Sequence, residues 1–421
     1  MKKTKLALAI ATTAMVSTPV LATNGDNLIG LGAQSRALGG TGTAAFYGSE
    51  NALTNPGLLG KSQGTEFTIG GTIFKPSVKA TSNIATYPGP AASDTSANDT
   101  NIIPEVSLST RLTDNWTFGL GIFGSAGMGV DYQDSPALFN GYSNLQLMKF
   151  APTISYNSDK FGIGVAPVIQ YGALDINYTD PMGKNVGHGM SSDLGYGYNI
   201  GGYFDIFEGM TLALAYQSAI DMKYKDQITT ASNGLGLSGF SDHLEQPAEI
   251  KAGIAYTIKG FMLTADAKQI KWGDAKGYKD FNWKDQNVFG LGAKYAGNRY
   301  WVGVGYNYGE DPIDTLDQSK TAAQGGYSNQ AVNLFNNHFF PAIMESHFTF
   351  GGGYQLTKNL ALDGAIVYAP EISKTVSTGA VTGGLGAQSG NQQAAMMPAD
   401  ATEHKVTHSQ IGYTLSLRMN F

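Results

Sequence analysis

The apolar positions of this chain recur at every second residue. Trp116-Thr-Phe118-Gly-Leu120-Gly-Ile122, Phe161-Gly-Ile163-Gly-Val165 and Phe289-Gly-Leu291-Gly-Ala293-Lys-Tyr295 alternate, as do Tyr300-Trp-Val302-Gly-Val304-Gly-Tyr306 and Phe348-Thr-Phe350. The chain ends in the same way. Ile411, Tyr413, Leu415, Leu417, Met419 and Phe421 carry apolar groups, with Gly412, Thr414, Ser416, Arg418 and Asn420 between them. A period of two puts the two sets on opposite faces of a strand. A greasy face of that size needs a cover. In a membrane barrel lipid provides it, and the last strand closes the cylinder.

The links between these runs alternate in length. Short polar links at Thr113-Asp114-Asn115, Asn157-Ser158-Asp159, Ile258-Lys259-Gly260, Gly297-Asn298 and Thr357-Lys358-Asn359 read as hairpins. Long links fall near residues 80–100, 131–144, 179–192, 226–244, 273–284, 310–344 and 376–402. Outer-membrane barrels have this rhythm, with short turns on one side and long loops on the other; a β-sandwich does not require it. The pattern predicts an all-β fold: a transmembrane antiparallel barrel of about 14 strands.

The first 22 residues have the marks of a signal peptide. Lys2, Lys3 and Lys5 precede an apolar run from Leu6 to Val16, and Val20-Leu21-Ala22 offers a cleavage site. That run is too short to span a bilayer, and no later window approaches the ~20 apolar residues of a membrane helix. With no cysteine, disulfides, thiolate metal sites and a lipoprotein anchor are excluded. Charged residues are 14% of the chain, against about a quarter in a soluble domain. The net charge of −6, without a basic stripe, argues against a nucleic-acid partner. The six histidines show no spacing that names a triad or a metal site. The expectation is therefore no enzyme, no cofactor and no metal.

Between the signal and the first strand, residues 23–60 show no alternation. A lumen this wide must hold water or protein, so an inward-folded hatch is expected over residues 23–60, with the barrel at 61–421. The Gly30-Leu-Gly32 spacing is no dinucleotide loop, because no strand precedes it. Arg36, Asn55, Pro56 and Gly57 are the hatch residues singled out.

The run ending in Asn55-Pro56-Gly57-Leu58 resembles the hatch of the FadL-type outer-membrane transporters of long-chain fatty acids and other hydrophobic compounds. Gly57 departs mildly from the Asn-Pro-Ala common there. The resemblance continues along the mature chain. Ile122-Phe-Gly124-Ser125-Ala126-Gly127-Met-Gly129 is similar to the family's kinked third strand, and Pro247 precedes a stretch like its eighth. Trp272 and Gly305-Tyr-Asn-Tyr-Gly-Glu310-Asp311-Pro312 stand in places matching positions after its ninth and in its eleventh strands. What this implies is passive transport: capture in an apolar groove among the outer loops, movement of the hatch, and sideways exit beside the kinked strand. Gly124, Ser125, Ala126, Gly127 and Gly129 are then the candidate lateral opening, where residues without bulk let a strand bend away.

Ligand contacts are expected from two apolar loop stretches. Phe335, Phe339, Phe340, Ile343 and Met344 belong to one, and Leu235, Leu237 and Phe240 to the other. A fatty carboxylate also calls for a cation. Alternation places Lys149, Lys251, Lys268 and Lys294 on the lumen face, where carboxylates such as Asp266 compete for them. The alternatives are uptake of aromatic or alkane hydrocarbons, or a general diffusion porin, against which the hatch argues. The expected partners are hydrophobic small molecules, the bilayer with its lipopolysaccharide, and the barrel-assembly machinery, which reads the strand ending in Phe421. A monomer is expected.

Overall fold

The computed structural model describes residues 24–180 and 182–421; the expected signal peptide lies outside them. Fourteen antiparallel strands form a closed barrel. They are β1 Thr65–Ser82, β2 Asn101–Arg111, β3 Trp116–Asp131, β4 Tyr142–Asn157, β5 Phe161–Thr179, β6 Ser191–Phe207 and β7 Met210–Gln217. After these come β8 Glu249–Ile258, β9 Phe261–Ile270, β10 Gln286–Ala296, β11 Tyr300–Gly309, β12 Ser346–Thr357, β13 Leu360–Ser377 and β14 Glu403–Asn420. Each pairs with its neighbours in sequence, and β14 returns to β1 from Glu66↔Asn420 to Ser82↔His404. Closure of β14 onto β1 removes the free edges that a first and a last strand would otherwise present to lipid. Two short strands, Ala92–Thr95 and Asn185–Val186, extend the sheet into outer loops.

The alternation in the sequence is the alternation of the wall. On β14, Tyr413, Leu415 and Leu417 are exposed while Thr414 and Ser416 are buried. Phe421 is exposed and pairs through its backbone with Thr65. The five short links are hairpin turns as expected, and Glu208-Gly209 makes a sixth. At Lys259-Gly260 both residues have positive φ, 48° and 83°, which matches the right-handed twist of the flanking strands. No helix among the described residues is long and apolar enough to cross a membrane.

Residues 24–61 lie within the cylinder rather than in its wall. They form two short helices, α1 Ala33–Ala37 and α2 Asn51–Thr54, and a 3-10 turn over Pro56–Lys61, so the first strand begins four residues later than the expected boundary of 61. Three more helices, α3 Ile228–Gly234, α4 Tyr327–Phe339 and α5 Gly379–Gln388, lie in long outer loops. The main apolar core gathers α3 and α4 with Met128, Leu174, Trp272, Tyr278, Phe281 and Trp283. It therefore caps the loop end of the barrel.

Candidate functional site

The N-terminal segment is held from many sides. Arg36 pairs with Glu105 at 2.6 Å and donates to Thr72 Oγ1 at 2.8 Å, tying α1 to β2 and β1. Buried and neutralised, Arg36 is committed to that contact. Asp266 of β9 accepts from the Gly42 and Thr43 backbone N–H groups at 2.9 and 2.8 Å. Thr349 donates to the Ala37 carbonyl at 2.9 Å, and Asn307 to that of Gly39 at 3.0 Å. Thr153 and Asn199 donate to the Ala52 and Leu53 carbonyls.

Asn55 caps the turn that follows it. Its side-chain oxygen accepts from Gly57 N–H at 3.0 Å, and its amide donates to the Thr43 carbonyl at 2.6 Å. Pro56, without an N–H, suits the first position of that turn. Gly57 lies against the backbone of β6: a Cβ there would come within 2.7 Å of the Gly201 carbonyl oxygen. This gives a physical reason for glycine where alanine was the expectation. Glu50 is buried close to Glu105, Glu66 and Asp363, and burial first, then these carboxylates, push its pKa well above the usual range.

The third strand parts from β2 part-way up the wall while it stays paired with β4. Its ladder with β2 runs from Arg111↔Thr117 to Glu105↔Phe123. At Ser125 a bulge shifts its register against β4, between Gly124 and Ala126. Beyond that point the N-terminal segment pairs with it: Leu28 N–H donates to the Ser125 carbonyl at 3.3 Å, Gly127 N–H donates to the Asp26 carbonyl at 3.0 Å, and Asn27 bridges Ala126. Across from Gly124, Ile103 and Pro104 of β2 form the other side, and proline offers no N–H there. Gly124, Ser125, Ala126, Gly127 and Gly129 thus all lie on the stretch of β3 beyond its ladder with β2, and residues 26–28 lie across its inner side.

Three cavities descend from the loops towards that stretch. The outermost, about 30 Å³, lies between α3, α4 and α5 and is lined by Phe139, Tyr178, Leu235, Tyr327, His338 and Phe339, among others. The next, about 20 Å³, is lined by Met128, Tyr278, Phe281, Trp283, Phe335 and Phe340, among others. Phe335 stacks on Phe281 with centroids 4.5 Å apart. Leu237 and Ile343 belong to the surrounding core, Phe240 packs on Phe281 at 4.5 Å, and Met344 is buried; none of these four borders either cavity. The innermost cavity, about 60 Å³, is lined by Lys149, Lys251, Lys268, Glu249, Asp266, Gln217 and Ser125, together with Leu28, Leu53 and Val288.

Those lysines share a single carboxylate. Lys251 lies 3.0 Å and Lys268 4.0 Å from Glu249, which also accepts from the Asn27 amide at 3.2 Å. Asp266, the acid expected to neutralise a lysine, is occupied by backbone N–H groups instead. Lys149 is 2% exposed, and among the described residues no hydrogen bond or ion pair reaches its ammonium. Lys294 lies elsewhere, at the turn end, donating to Gln34 at 2.7 Å beside Arg418 and Asp363. The N-terminal segment also reaches the middle cavity, because the buried Asp26 carboxylate accepts from Tyr278 and from Gln246 (3.0 Å). Burial pushes its pKa up to about 6, against those two hydrogen bonds. Glu249, Gln217, Tyr178, Tyr278 and Tyr327 were not among the expected site residues; a strand-face count would have found Glu249 and Gln217, which face inward like the lysines.

A closed barrel that leads from an apolar loop cap past a buried polar pocket to a break in its own wall has the build of a membrane channel for hydrophobic molecules. The sequence over residues 9–323 matches the family described as Outer membrane protein transport protein (OMPP1/FadL/TodX), and the chain belongs to that family. It is an outer-membrane transporter of hydrophobic compounds, not an enzyme. The fold is similar to that of the Pseudomonas putida toluene transporter TodX (19% identity, TM-score 0.66, covering 94% of this chain and 99% of that one). It is also similar to a Pseudomonas aeruginosa FadL homologue (14%, 0.66, 96% and 100%) and to the Ralstonia pickettii toluene transporter TbuX (17%, 0.64, 94% and 99%). A 44-residue stretch is 52% identical to a Chlorobium limicola protein described as uncharacterized, in the 5′ region of a phosphoenolpyruvate carboxykinase gene; the match spans 22% of that protein's length.

Proposed function

We propose that the chain carries long-chain fatty acids into the outer membrane, with residues 24–61 acting as a movable hatch. The carrying observation is Lys149, a buried cation on the wall of the innermost cavity whose ammonium has no hydrogen bond or ion pair among the described residues. Leaving an ammonium there uncompensated is costly, and an anionic ligand would recover that cost. With Lys251 and Lys268 beside it and Glu249 as the nearby counter-charge, the pocket has room for one carboxylate. Leu28, Leu53 and Val288 line the same cavity, with Val288 paired to Lys268 across the β9–β10 ladder, so a group with a charged end and an apolar chain would find both kinds of contact there.

The path follows the three cavities. The alkyl chain enters between α3, α4 and α5, passes Phe335 and Phe340, and brings its head to the lysines. Residues 26–28 then leave β3, and the molecule slides out between β3 and β2 into lipid. No energy source is needed, since each CH₂ removed from water contributes about 0.8 kcal/mol and the bilayer is the final sink.

A second reading is uptake of small aromatic hydrocarbons, favoured by the aromatic lining of the middle cavity. Equilibrium binding of palmitate and of hexadecanol to the wild type and to Lys149→Gln decides between them. The acid reading expects palmitate affinity to fall about tenfold or more in the variant, as for loss of a charged hydrogen bond, with hexadecanol unchanged. Equal palmitate binding by both proteins would leave the hydrocarbon reading standing.

A further inference from the structure

Lysines of the barrel strands divide into two sets. Among the described residues, Lys149, Lys251, Lys268, Lys294 and Lys374 are held inside, the last bonded to Asp311 at 2.7 Å. Lys75, Lys79 and Lys405 are exposed on the outer face, all on the seam where β14 closes onto β1. No ion pair involves any of the three.

Their height on the wall is fixed by register. Lys75 stands opposite Ile411, the top of the outward series Ile411, Tyr413, Leu415, Leu417; Tyr368 of β13 stands level with Ile411 on its other side. Lys79 faces Thr407, and Lys405 faces Thr81. Lys79 and Lys405 are thus diagonal neighbours, about 7–8 Å apart at the backbone, and Lys75 lies about 13 Å below Lys79 along the strand. Ser77 and Ser409 lie between them, and Ser373 and Thr407 bond each other at 2.9 Å on the same face. Two acids border the patch: Glu403 is one outward position beyond Lys405 towards the loops, and the exposed Glu371 lies at the β13 bulge beside Ser409, one strand away from β1. Three like charges bordering hydrocarbon need counter-charge, and the neighbouring side chains supply hydroxyls, which donate readily to an anion.

We infer that the β1–β14 seam binds the phosphorylated headgroup of an outer-leaflet glycolipid. The seam is at the long-loop end of the wall, where the outer leaflet meets water, so a phosphate at the top of its acyl chains falls level with the lysines. β1 also neighbours β2, so the held lipid would stand beside the opening at β3. The inference rests on the outer-membrane placement and not on which compound is carried.

The test compares the wild type with the K75Q/K79Q/K405Q protein, extracted in mild detergent, washed and assayed for retained lipopolysaccharide. Nanodiscs are then made with intact lipopolysaccharide, with its dephosphorylated form or with phosphatidylglycerol. The wild type should retain lipopolysaccharide, with retention falling about tenfold or more in the triple variant, and the dephosphorylated form should bind no better than the variant does. Heat-modifiable gel mobility reports a folded barrel. If the triple variant fails to fold, K79R/K405R should keep the lipid and K79Q/K405Q should lose it. Equal retention by wild type and the glutamine variants, equal retention of phosphatidylglycerol, or binding of inorganic phosphate alone would each overturn the assignment.

Discussion

Single side chains in the lumen were legible as to face but not as to partner. Alternation put Lys149, Lys251 and Lys268 inside, and inside they are; Glu249 as their shared acid, and Asp266 as a backbone acceptor, follow from which strands and which hatch residues meet. Gly57 carries a prediction. Gly57→Ala pushes a methyl into the Gly201–Gly202 backbone and should destabilise the protein by about 1–3 kcal/mol, measured as a lower urea midpoint. His338 carries another. Burial lowers its pKa to about 4, and it meets His404 at 3.0 Å. Its folded pKa is depressed, so its contribution is present above about 6.5 and is lost as pH falls towards 4. Protection factors for hydrogen exchange in α4, corrected for the intrinsic pH dependence of exchange, should therefore fall between pH 6.5 and 4, and less so in His338→Phe; an equal fall in the variant would refute this.

Elements differ in how far local pattern reaches. The strands follow a two-residue period that any stretch of the chain carries within itself. Helix α4 does not: Phe335, Phe339, Phe340, Ile343 and Met344 stood out as an apolar loop stretch, while Asn333, Asn336 and Asn337 among them were not singled out. They are buried because they donate to the Leu316, Phe281 and Lys374 carbonyls, partners from three other segments. The break in β3 is likewise stabilised by residues 26–28, about a hundred positions earlier. Because the chain lacks cysteine, Asn27→Cys with Ala126→Cys gives one defined pair, and bridge partners lie within disulfide reach. Oxidation should stop palmitate uptake into liposomes and reduction should restore it. Unimpaired uptake by the oxidised protein would rule out exit past residues 26–28.

For the molecule as a whole, the hatch role proposed for the N-terminal segment is open to a direct test. Removing residues 24–60 should turn low conductance in planar bilayers into large steady currents; unchanged conductance would sink the hatch reading. The seating of this segment is also tied to pH. Asp26 has a raised pKa, so its contribution to seating the segment is complete below about 4 and is lost as pH rises through about 6. Membrane placement, strand number, the order of turns and loops and the facing of each strand residue were all written in the chain, because period-two alternation and turn chemistry act over a few neighbours. The lumen was decided by closure alone. Arg36 finds Glu105, Asp26 finds Tyr278, and Lys149 comes to line the innermost cavity, with no ion pair among the described residues, only once fourteen strands have bent into a cylinder and brought distant residues face to face.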